Sequence, residues 1–186
     1  MAASRGHCRW RGLWLVIGTL LAGSSHVFGQ ESCLKQVFER YCLGGDVNLL
    51  LRQGPQPEYK RAEGERLAYI FQAGPERVYV LAFRGHIYKV LRSYRGATQL
   101  RYEDLYASLR SKYGPGEDRS SFPPYAKTAS RKLGSIRRGD GRAVHYWKAA
   151  EDWYIELSWT REMGLALAYV AKDLNDEQKA AAEQGL

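Results

Sequence analysis

The chain has 186 residues, 45% of them hydrophobic and 26% charged, with a net charge of +8 at pH 7. About two thirds of the unfolded surface of one domain of this size can be buried, so no disulfide framework is needed to make a core. The basic balance bears on association rather than fold and points to anionic partners.

Residues 1–29 read as an export signal. Arg5, Arg9 and Arg11 precede an apolar run from Leu13 to Ala22, about ten residues and well short of the ~18 that a membrane span requires. Val27 and Gly29 fit the minus-three and minus-one positions for cleavage after Gly29, with a cut after Ala22 or near Ser24 as the competitor. Ser24 stands where a lipidated cysteine would have to be, so no stable membrane anchor is expected after cleavage. Cys8 leaves with the signal, and losing three arginines and no acid takes the net charge from +8 to +5. The expected location is periplasmic or secreted.

Residues 30–54 read as an N-terminal helical segment. Leu34, Val37, Phe38 and Tyr41 recur at helical spacing up to Gly44-Gly45, and Asp46 can cap a second short helix that Gly54-Pro55 stops. Cys33 and Cys42 are the cysteines left, and an oxidising compartment favours pairing them. On one straight helix they would lie ~13 Å apart, beyond the ~7 Å that a disulfide spans. Either the helix breaks between them or they stay unpaired.

Residues 62–173 read as an α+β domain. Strands are expected over Leu67–Gln72, Arg77–Phe83 and His86–Tyr94, joined by turns short enough to force antiparallel pairing. In the third, Ile87, Lys89 and Leu91 alternate with Tyr88, Val90 and Arg92, which leaves the inward face undecided. Tyr102, Leu105, Tyr106, Leu109 and Tyr113 form a helical stripe ended by Gly114-Pro115. Residues 115–141, without a sustained apolar period, read as a long basic loop. Strands follow over Arg142–Lys148, Trp153–Trp159 and Leu165–Lys172, the middle one alternating cleanly. The tail, 174–186, suggests a short helix capped at Asn175 and loosely docked. The fold expected is an antiparallel sheet of about five to six strands with helices packed on one face. Gly85 to Val90, then Tyr102 to Gly114, then a Trp-bearing strand resemble a layout common in small exported bacterial proteins, which implies the compartment but no catalytic residue.

No catalytic string stands out. Gly-x-Ser-x-Gly, His-Glu-x-x-His and phosphate-loop patterns are absent. His86 and His145 lack ligands at metal spacing, so neither a metal nor another cofactor is expected. His86 reads as a surface residue, and His145 as a packed or hydrogen-bonded strand residue. Glu103-Asp104 suits a first helical turn and Glu151-Asp152 a hairpin turn; with Glu156 these are the carboxylates that a glycan-cleaving mechanism could use. Arg131, Lys132, Arg137, Arg138 and Arg142, next to Lys127 and Asp140, form a basic cluster suited to carboxylate or phosphate, and Trp147 marks a neighbouring aromatic sheet face. The function expected is that of an exported, non-catalytic binding or assembly protein for a protein or an anionic envelope component, with no nucleic acid. The alternative is a small envelope hydrolase acting on glycan or peptide cross-links.

Overall fold

In the computed structural model the described residues are 33–184; the export signal expected over 1–29 lies outside them. They begin with a hairpin, not the helix expected up to Leu43. Strand β1 (Lys35–Val37) pairs antiparallel with β2 (Tyr41–Leu43), Val37 opposite Tyr41. A three-residue reversal brings residues four apart face to face, which imitates helical spacing. Phe38 and Glu39 make it by taking φ of 47° and 67°. The reversal sets the α-carbons of Cys33 and Cys42 5.4 Å apart, and the two form a disulfide. Helix α1 (Val47–Gln53) follows, its first turn capped by Asp46, which accepts the Asn48 N–H at 2.6 Å.

The main sheet contains β3 (Tyr59–Glu63), β4 (Arg66–Ala73), β5 (Glu76–Phe83), β6 (His86–Tyr94), β7 (Glu117–Asp118), β8 (Ala143–Trp147), β9 (Trp153–Thr160) and β10 (Gly164–Ala171). Its order is β3-β4-β5-β6-β10-β9-β8-β7, and every neighbouring pair is antiparallel. Among the described residues the sheet therefore has eight strands, not five or six. The two unforeseen ones are its edges. All five residues of β3 are exposed, so it carries no alternation to read, and β7 has two residues.

Helix α2 (Gln99–Tyr113) starts at the Thr98 cap and stops at Gly114. Residues 115–141 are not a loop throughout: besides β7 they form α3 (Ala129–Arg138), capped by Thr128 and closed by Gly139 in the left-handed region at φ 91°. Its apolar contribution to the core is Leu133 and Ile136 among basic residues, too little for a readable period. Helix α4 (Lys172–Gln184) starts directly from the end of β10, three residues before Asn175. Asn175 is buried and donates toward the Tyr154 hydroxyl at 3.4 Å instead of capping.

Alternation sorts the strand residues onto two faces. One core cluster joins the hairpin and α1, through Val37, Leu43 and Val47, to Phe71, Val80 and Val90. A second joins α2 and α3, through Leu109 and Ile136, to Trp147, Ile155 and Leu157. Phe38, Trp153 and Tyr169 touch both and close the seam. Among the described residues the opposite face has a small cluster, Leu91, Ala166, Ala168 and Val170, fringed by Tyr79, Tyr154 and Met163. Helix α4 sits at the sheet end and keeps to neither side: Leu174 meets the first core cluster, while Asn175 reaches Tyr154. Among the described residues no helix is long and apolar enough to cross a membrane.

The disulfide closes a short loop whose hairpin supplies Val37, Tyr41 and Leu43 to the core. Replacing both cysteines (Cys33→Ser with Cys42→Ser) will lower stability by about 2–3 kcal/mol, the loop-closure entropy returned to the unfolded chain. Urea unfolding of the oxidised protein and the double variant measures it; equal midpoints would show that the bond adds nothing to the hairpin.

Candidate functional site

The sheet face opposite the two large core clusters carries several basic residues. A cavity of about 360 Å³ there is lined by Lys89, Arg119, Arg142 and Glu156 around Leu91 and Met163. A second, about 280 Å³, lies beside Arg77, Tyr79, Ser93 and Arg95. The pairing of Tyr79 with Leu91, and of Leu91 with Ala168, makes a low apolar row at the centre of this face. Among the described residues neither cavity is lined by a helix residue.

Arg119 is internally satisfied: it pairs with Glu117 at 2.8 Å and lies 4.0 Å over the Tyr146 ring. Among the described residues, Arg77, Lys89, Arg95 and Arg142 have no carboxylate within ion-pair distance. Two tyrosines on this face, Tyr146 and Tyr154, whose ring centroids are 4.7 Å apart, are un-ionised. Burial, helped by Glu156, pushes Tyr154 up to about 12. Burial also raises Tyr146, against the pull of Arg119. The face thus offers unpaired cations, neutral phenols and a shallow apolar centre.

The residues expected to form one basic site are dispersed. Arg131, Lys132, Arg137 and Arg138 all belong to α3. Arg138 donates to the Tyr125 hydroxyl at 2.8 Å and lies 3.7 Å from Asp140, so it is partly spent. Lys132 sits 5.0 Å over the Phe122 ring. Arg142 points to the other side of the sheet, because the next residue, Ala143, faces α3 in the second core cluster. Trp147 is not a surface aromatic: it is 2% exposed, and its indole N–H donates to the Gly114 carbonyl at 2.9 Å.

His145 has more company than its sequence neighbours suggested. The Tyr102 hydroxyl is 2.7 Å from its Nδ1, its Nε2 is 4.0 Å from Asp118, and the Tyr106 ring packs edge-on with centroids 4.6 Å apart. Burial lowers its pKa, with Asp118 pulling the other way, and burial raises that of Tyr102. The bond therefore runs from a protonated Tyr102 to a neutral His145. Hydrogen bonding from Ser120 holds the Asp118 carboxyl below its usual range. The carboxylates weighed for hydrolysis do not converge: Glu103 is on α2, Glu151-Asp152 turns between β8 and β9, and Glu156 lies on the opposite face. Among the described residues no three His, Cys, Asp or Glu side chains group as metal ligands.

No protein-family model matches the chain, and no curated protein does. One solved structure it is similar to is a cysteine-rich secretory protein from Staphylococcus aureus subsp. aureus Mu50, with 12% identity and a TM-score of 0.42 over 70% of this chain. The chain spans 45% of that protein's length.

Neutral His145 makes folding sensitive to acid. As pH falls below about 6.5 the unfolded chain takes up a proton that folded His145 resists, so stability declines until the lower folded-state pKa is passed. Urea midpoints at neutral pH and at about pH 5 will differ less in His145→Gln than in the parent chain. An equal drop in both would assign the acid sensitivity to other groups.

Proposed function

We propose that the chain is an exported, non-catalytic binding protein that grips an acidic protein on the uncovered face of its sheet. The observation that carries this reading is the set Arg77, Lys89, Arg95 and Arg142, unpaired by any described carboxylate, around Tyr79, Leu91 and Met163. Arginine offers a carboxylate two parallel hydrogen bonds, and Tyr, Met and Arg are the side chains enriched in protein interfaces. A protein is preferred to a bare polyanion because the apolar row between the cations contributes only when another apolar surface covers it. The face is built on hydrogen-bonded strands, so little ordering entropy is lost on docking. Export is supported by the apolar run after Arg11 and by the Cys33–Cys42 disulfide, a bond that suits an oxidising compartment.

Photo-crosslinking in the cells that produce the chain tests the reading. A photoreactive phenylalanine in place of Tyr79 is expected to yield an adduct with an acidic protein, whereas one in place of Tyr125, beside α3, will not. Replacing Arg77, Arg95 and Arg142 with Ser and Lys89 with Gln will lower that adduct by about tenfold or more, with the circular dichroism spectrum unchanged. A partner trapped equally from Tyr125, an adduct indifferent to the four substitutions, or a glycan in place of a protein would sink it.

A further inference from the structure

The other side of the same strands carries a second concavity, and nothing in the reading above uses it. Where α2 and α3 part over β8 and β9, a cavity of about 290 Å³ opens. At ~30 Å³ for each water in the liquid, that is room for roughly ten non-hydrogen atoms. Its apolar lining comes from the sheet floor, Ala143 and Trp159, from α3, Leu133 and Ile136, and from Phe122. Water over such a floor finds few partners, so an apolar body that displaces it gains free energy.

The polar groups are unevenly placed in kind. Glu103 and Asp118 both line the cavity, both are exposed, and among the described residues Lys132 is the one cation lining it. His145 adds no charge, since it is neutral and its Nδ1 is already bonded to Tyr102. Its Nε2 lies 4.0 Å from Asp118, too far for a hydrogen bond, so the carboxylate keeps accepting capacity beyond its bond from Ser120. Glu103 accepts from Gln99 at 2.8 Å through one oxygen and retains the other. Two carboxylates against one ammonium give a negatively biased mouth on a chain whose net charge is positive.

We propose that this cavity binds a small primary amine with a flat apolar body, its ring on the floor near Ile136 and Trp159 and its ammonium group between Glu103 and Asp118. A carboxylic acid of the same shape is excluded by the same two side chains. The site is separate from the basic sheet face, so either can fail without the other.

Chemical-shift titration of the folded protein with phenethylamine, phenethyl alcohol and 3-phenylpropanoate tests it. The amine is expected to move resonances of Trp159, Ile136 and the His145 ring, the alcohol to do so about tenfold more weakly, and the acid to have no effect. Asp118→Asn combined with Glu103→Gln will bring the amine down to the affinity of the alcohol and leave the alcohol unchanged. Ala129→Phe, a substitution at an exposed lining position in the first turn of α3, will block all three probes while the melting temperature holds. The proposal is overturned if the acid binds as well as the amine, if no probe moves these resonances, or if the amine's shifts survive Ala129→Phe.

Discussion

The pairing of β6 with β10 holds the two halves of the molecule together. Residues more than seventy positions apart in sequence lie side by side there, Val90 against Tyr169 and Tyr94 against Leu165. One half of the sheet, β3 to β6, arises by successive hairpins, and so does the run from β8 to β10, to which β7 is joined through α3. Neither half encloses a core alone: β6 supplies Val90 to the first cluster and Tyr94 to the second, while β10 supplies Ala171 and Leu165. Phe38 covers the join and lies 4.9 Å from the Arg92 guanidinium, which reaches Glu76 at 3.2 Å. Because this central ladder is the most non-local contact in the sheet, its loop-closure entropy is met before the flanking clusters reward it.

Much of this was legible because local patterns agreed with the global fold. Trp153, Ile155, Leu157 and Trp159 alternate in β9 and enter one core, and the Tyr102 stripe and Gly114 define α2 within a few residues. Where the reading failed, a local pattern had two physical solutions. Val37 and Tyr41, four apart, meet across a three-residue reversal as well as on a helix. The undecided face of β6 has a similar cause. A bulge opposite Leu81 and Ala82 makes Tyr88 an extra residue, so Ile87 turns inward with Val90 while Lys89 and Leu91 turn outward. No uninterrupted alternation could have shown that.

The candidate site was less legible than the fold. The basic cluster read from 131 to 142 is continuous in sequence but is divided between helix α3 and the far side of the sheet. The unpaired cations of the uncovered face come from three strands or their ends: Arg77 from β5, Lys89 and Arg95 from β6 and its end, and Arg142 from the start of β8. Proximity of that kind depends on strand order, which no local spacing encodes. Trp147 shows the converse: the alternation of β8 puts it on the side of Ala143 and His145, where its indole N–H donates to the Gly114 carbonyl.

The two cavities over β8 and β9 are lined by alternate residues of the same strands. Ala143, His145 and Trp159 serve one side, and Arg142, Val144, Ser158 and Thr160 the other. A strand has a side-chain period of two, so inserting or deleting one residue in β8 would exchange the two linings and bury arginine beneath α3. Length variation in descendants of this chain is therefore barred from β8 and β9. It can accumulate in β3, where all five residues are exposed and a slipped register displaces nothing from the core.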